Sequence, residues 1–282
     1  MVERKLIVGG VLAGALAGLL AFAFARIFAE PLISKAIAYE TARDAAQAVL
    51  DKAAGLSVTT SGPDLFSRTL QANVGIGVGM VAFGAAVGGA YAVTYTVCLG
   101  RVGNLRARSL ALLVGLLGFL AVSFVPSLKY PANPPAIGHG ETISQRGALY
   151  LTMTLLSVLL AIAAVYLGQR LQPRFGSWNA TLLAGAAFAV AIGVVMAVLP
   201  ALGHLQANRT QYGDFATETP QPLKDASGTI VFPGFDADLL FSFRLYSVAA
   251  QAILWGGLSL LFAPGAQRIL APSAVQALPR QA

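Results

Sequence analysis

Charge is what this 282-residue chain has least of. Charged side chains make up 11% of it, against roughly a quarter in a soluble domain. Meanwhile 56% is hydrophobic and the mean hydropathy is +0.71. So small a stock cannot cover a water-facing surface, which excludes an ordinary soluble globule and points to a polytopic membrane protein. A single cysteine, Cys98, excludes an internal disulfide, and its place in an apolar run suits packing. Neither GxxxxGKS/T, HExxH nor Cys-x-x-Cys occurs, which removes P-loop hydrolysis and the familiar zinc-enzyme sites.

What is present is apolar length. Six runs reach the roughly 20 residues that cross a bilayer as a helix, near residues 6–27, 71–98, 109–127, 148–168, 179–202 and 240–263. In lipid the backbone must satisfy its own polar groups, so each is expected to be helical. The expectation is one all-α transmembrane domain over 1–282. Its longer connections are a helical one at 29–70, a proline-rich strap at 128–147 and a loop at 203–239.

The few charges orient this bundle. Arg4, Lys5, Arg101, Arg106, Arg108, Arg170, Arg174, Arg268 and Arg280 fall in alternate connections and termini, with Glu3 as the one acid among them. The remaining connections and span ends hold ten basic residues and eleven acids. The positive-inside rule places the first set, with both termini, in the cytoplasm. The net charge of +7 is therefore a matter of topology, and no nucleic-acid partner is implied. The first run ends in "AFA" before Arg26, as a signal peptide would, but its apolar part is longer than the ~7–15 residues of a signal h-region. It reads as a retained helix of a multi-pass membrane protein.

Small residues mark packing faces. Gly10, Gly14 and Gly18 recur every fourth residue in the first run, and Gly84 and Gly88 do so in the second. Such faces let helix backbones approach closely, within one chain or against a second copy or partner helix. The connection "EPLISKAIAYETARDAAQAVLDKAAG" reads as a helix: Pro31 suits its first turn, and Ile33, Ile37, Val49 and Leu50 give a partly apolar face.

Candidate functional residues gather at the outer side. "FVPSLKYPANPPAIG" packs Pro126, Pro131, Pro134 and Pro135 into fifteen residues. Pro126 is expected to end the third span, and the others to hold an extended strap. Lys129 and Tyr130 are interfacial anchor types. The strap would fix His139 and Glu141, and His204 ends the fifth span, so these three are the candidate ligands of a site that admits a late first-row divalent ion. The competing reading of each histidine is a plain interfacial residue, as is common at a span end. Arg244 lies a turn or two inside the last span. It either snorkels or pairs with a carboxylate, Glu30 or Glu40. Gln251, two turns deeper, is either interhelical glue or a pathway ligand. Arg26 and Glu30 stand i, i+4 and can pair if the helix continues; with Glu40 they otherwise form a solvated face. Asp236-x-Asp238 resembles a short acidic glycosyltransferase motif, though two acids before a helix also suit its dipole.

Three blocks, "GLLAFAFARIFAEPLISKAIAYE", "FVPSLKYPANPPAIG" and "FDADLLFSFRLYSVAAQAILW", come in an order that resembles the CbtA family of cobalt transporter subunits along nearly the whole chain. Asp236 stands where that pattern has proline, leaving Asp238 as its matching acid. Lys129, Tyr130, Arg244 and Gln251 also match. The resemblance implies a membrane subunit for uptake of Co²⁺, with Ni²⁺ as the alternative ion, no permanently bound cofactor and no enzymatic activity. Its implied partner is a small one-helix subunit of CbtB type that bears histidines. Family descriptions often count five spans, whereas the charge pattern fits six. The competing readings are a non-transporting scaffold or assembly protein and a membrane-embedded metal-dependent enzyme.

Overall fold

The computed structural model describes residues 2–56, 67–103, 105–135, 137–138, 140–213 and 218–271. It is all-α apart from one short ribbon. In chain order the helices are α1 (Val2–Phe28), α2 (Glu30–Ala53), α3 (Arg68–Cys98), α4 (Ala107–Lys129), α5 (Ile143–Val198), α6 (Gln206–Tyr212) and α7 (Ala237–Leu270). The antiparallel ribbon pairs β1 (Leu223–Lys224) with β2 (Ile230–Phe232). Among the described residues, five helical stretches are long and apolar enough to cross a membrane: α1, α3, α4, Gly140–His204 around α5, and α7.

The expected fourth and fifth spans share that single stretch, and α5 is not straight. Gly176 inside it has φ 74 and ψ 167, a conformation open essentially to glycine, and Pro173 precedes it. Met153 and Ile192, on either side of the break, belong to one buried cluster. A straight helix would hold them about 58 Å apart at 1.5 Å per residue, so α5 is a hairpin of two antiparallel arms, 143–175 and 177–198. Gly168 on one arm faces Ala184 on the other.

One compact unit comprises the first part of α1, most of α3, the first part of α4 and the last part of α7. Its seam is built from glycine. A Cβ on Gly10 would lie 2.4 Å from the carbonyl oxygen of Gly88, one on Gly14 2.1 Å from that of Gly84, and one on Gly18 2.4 Å from that of Met80. The two glycine faces therefore meet each other within the chain. Tyr91 and Tyr95 stack edge-on against Phe262 at 5.2 and 5.1 Å, and their hydroxyls donate to the carbonyls of Ala111 and Ala107. Gly118 lies against the Trp255 ring and Gly115 against Ser259. Cys98 is a free thiol at the end of α3.

The second unit comprises 22–77 and 119–251. Here α2 follows α1 after the single residue Ala29, with Pro31 in its first turn as expected. Ala36 of α2 is buried with Ile137, Phe235 and Leu240. Tyr39 packs on Phe232 and Phe235 and donates to the Pro233 carbonyl at 2.9 Å. Val49, expected on the apolar face, is 69% exposed. The ribbon turns on Asp225, whose carboxylate accepts from the Ser227 hydroxyl and from the amides of Ser227 and Thr229. These bonds hold its pKa below the usual carboxylate value.

Candidate functional site

Pro126 does not end its helix. The segment Phe119–Phe124 is π-helical, and a short α-segment, Val125–Lys129, resumes with proline in its first turn. A proline lacks the N–H that an α-helix interior would use. One widened turn before it absorbs that loss, and the first turn of the resumed segment does not need the donor. The chain leaves the helix only at Tyr130, whose amide closes the last turn onto the Pro126 carbonyl. From there it runs without helix through Pro131, Asn133, Pro134 and Pro135, as the proline spacing requires.

The strap, the π-helical segment, the start of α5 and the start of α7 line an open-sided cavity of about 770 Å³. Most of its wall is apolar, with Phe119, Phe124, Leu151, Phe241 and Leu245 among the lining side chains. Its charged groups are Arg146, Glu218 and Arg244, and Ser123, Asn133 and Gln251 supply neutral polar atoms.

Arg244 does not reach Glu30 or Glu40. Its Nε donates to the Ala132 carbonyl at 3.3 Å and one terminal nitrogen donates to Asn133 Oδ1 at 2.8 Å. The strap folds over α7 and presents these acceptors, which satisfy the guanidinium without a carboxylate. Deeper in the wall, Ser123 on the π-helical segment donates to Gln251 Oε1 at 3.2 Å. Gln251 thus ties α7 to α4 and also lines the cavity. Tyr130 is buried rather than interfacial, and its hydroxyl donates to the Pro200 carbonyl at 2.8 Å. Lys129 is half-buried and does not line the cavity.

Among the described residues Glu218 is the one carboxylate lining the cavity, and it carries no signature in the sequence. Its Oε1 accepts from the Thr142 hydroxyl at 2.7 Å and from the Asn208 amide at 3.2 Å. Its Oε2 lies 3.3 Å from a terminal nitrogen of Arg146. Thr142 and Asn208 are fully buried and Glu218 nearly so. Nothing in "ATETPQP" distinguishes Glu218 from the other acids of its loop. Only the folding of 203–239 onto the start of α5 selects it.

The remaining predicted residues lie elsewhere. Arg26 donates to Asn73 at 2.8 Å and Glu30 pairs with Arg68 at 2.5 Å. The expected i, i+4 pair is thus split, and both residues fasten the α1–α2 junction to the start of α3. Glu40 is half-buried near Asp44, and burial first, then that neighbour's charge, raises its pKa above the usual carboxylate value. Asp236 Oδ1 accepts from the amides of Asp238 and Leu239 at 2.8 and 3.2 Å, so it caps α7. Glu141 and His204 are exposed, and His139 lies outside the described residues. Among the described residues no three His, Cys, Asp or Glu side chains come together as metal ligands would.

Comparison with known proteins adds one match. The family model described as "Probable cobalt transporter subunit (CbtA)" covers residues 3–267. No curated protein matches, and no solved structure does.

Proposed function

We propose, from the premise that the chain belongs to the CbtA family of probable cobalt transporter subunits, that it is the multi-pass subunit of a cobalt uptake system in a bacterial inner membrane. One observation carries the reading: a cavity with three charged side chains set in a mostly apolar wall lies among helices apolar enough to cross a bilayer. Polar and ionisable groups are expensive in such segments and mark pathways by default. The hairpin in α5 supports two spans there, hence six in all with both termini on one side, and the charge pattern makes that side the cytoplasm. In that orientation the proline strap caps the outer end and the cavity is an outer vestibule. Irregular backbone is tolerated at such depth where it lines a cavity.

The described residues bring no ligand triad together, which fits a division of labour. A small CbtB-type subunit bearing histidines would select the ion, and this chain would pass it. Nickel is the alternative cargo, since the same late divalent chemistry serves both.

Cobalt accumulation tests the reading in cells with the chain deleted, restored, or restored with Gly147→Trp. Gly147 lines the cavity and a Cβ there meets open space, so tryptophan fills the vestibule without clashing at its base. Deletion should abolish the chain-dependent uptake. Gly147→Trp should lower it several-fold at equal membrane abundance. Unchanged cobalt content on deletion would refute the proposal.

A further inference from the structure

The cavity is larger than a divalent cation in passage needs, and its lining charge among the described residues is net positive. An ion with six waters fills roughly 200 Å³ at about 30 Å³ per water, whereas the cavity measures about 770 Å³, the range of organic ligands. Its lining charges are two guanidiniums and one carboxylate. Glu218 is already committed to Thr142, Asn208 and Arg146, so Arg244 carries the excess positive charge. Among the described residues Arg244 has no ion-pair partner, and its two hydrogen bonds go to neutral oxygens. A guanidinium has five N–H donors in a planar fork. Two are used here, and the fork is held in place by the strap.

Apolar surface surrounds this cation. Phe119 and Phe124 come from the π-helical segment, while Leu151, Phe241 and Leu245 are more than half exposed at the cavity's edge. A fixed guanidinium inside an apolar wall is complementary to a ligand with an anionic head and an apolar body.

We propose that the cavity binds an amphipathic anion, with its carboxylate or phosphate on Arg244 and its body against Phe119, Phe124, Leu151, Phe241 and Leu245. Two sources carry that chemistry. One is an anionic phospholipid of the surrounding bilayer. The other is a soluble organic anion, including one that carries cobalt as a chelate. The inference stands on the cavity and does not require the transport reading.

The test uses the purified full chain in neutral detergent and isothermal titration calorimetry. The probes are dioctanoyl phosphatidylglycerol, cobalt(II) in excess pyridine-2-carboxylate, and cobalt chloride alone. Wild type should bind one or both anionic probes. Arg244→Gln should weaken that binding by about tenfold to a hundredfold, as expected for loss of a hydrogen bond to a charged group, and Arg244→Lys should recover part of it. Leu151→Trp, at an exposed wall position, should weaken it while leaving the charge in place. Binding of the phospholipid identifies the bilayer source, and binding of the chelate identifies the soluble one. Binding that Arg244→Gln does not change, or no binding of either anion, overturns the proposal. If phosphatidylglycerol binds through Arg244 while deletion leaves cellular cobalt unchanged, the transport reading fails and this one stands.

Discussion

Gly14 and Gly9 are five residues apart on α1 and should respond oppositely to the same substitution. A Cβ on Gly14 would sit 2.1 Å from the Gly84 carbonyl oxygen and 2.8 Å from the Gly88 Cα. An ordinary C···O contact is about 3.3 Å, so the two backbones must part by about 1.2 Å. Both contacts are backbone and no rotamer change relieves them. The penalty should therefore lie at the upper end of the ~1–3 kcal/mol typical of overpacking, offset by up to ~1 kcal/mol of helix propensity gained over glycine. Gly14→Ala should thus destabilise by about 2 kcal/mol. A Cβ on Gly9 meets nothing within 4 Å, so Gly9→Ala should be neutral or stabilise by up to ~1 kcal/mol. Reversible unfolding by sodium dodecyl sulfate in mixed micelles measures both. Gly84→Ala should match Gly14→Ala, and the double variant should cost less than the sum, because the first substitution already opens the seam. Equal effects of Gly14→Ala and Gly9→Ala would refute the backbone-contact seam.

Three further outcomes are expected. Glu218→Gln should destabilise the same micellar fold by about 2 kcal/mol, since it removes the charge of a nearly buried carboxylate that accepts from Thr142 and Asn208 and faces Arg146 and a hydrogen bond to a charged group contributes ~1.5–3 kcal/mol; no change would contradict the buried charge. Glu40 has its pKa raised in the fold, so its ionisation opposes folding and stability falls as pH rises from the unfolded value through the folded one. Glu40→Gln should accordingly raise the unfolding midpoint at pH 7 and leave it unchanged near pH 4, and the reverse pH dependence would contradict the burial argument. A reporter fused after Ala282 should be cytoplasmic and one inserted at Gly213 external; an external carboxyl terminus would exclude six spans.

Composition and charge alone determined the class of this protein. So few ionisable groups cannot clothe a soluble surface, and apolar runs of membrane length must be helical because lipid offers the backbone no partner. The α2 helix, the non-helical course of Pro131 to Pro135 and the use of the glycine faces in packing follow from local sterics and are legible in the residues themselves. What lay beyond the sequence is what depends on which segments meet. Pro126 passes inside a helix because a π-turn forms before it. The glycine faces consume each other because α1 and α3 are neighbours. Arg244 turns to Asn133 rather than to an acid because the strap closes over α7. Glu218 becomes the cavity's carboxylate because a loop more than seventy residues downstream of Thr142 folds back onto it. Apart from the local π-turn before Pro126, each of these is a non-local contact, and side-chain chemistry read in order along a chain carries no record of distance across the fold.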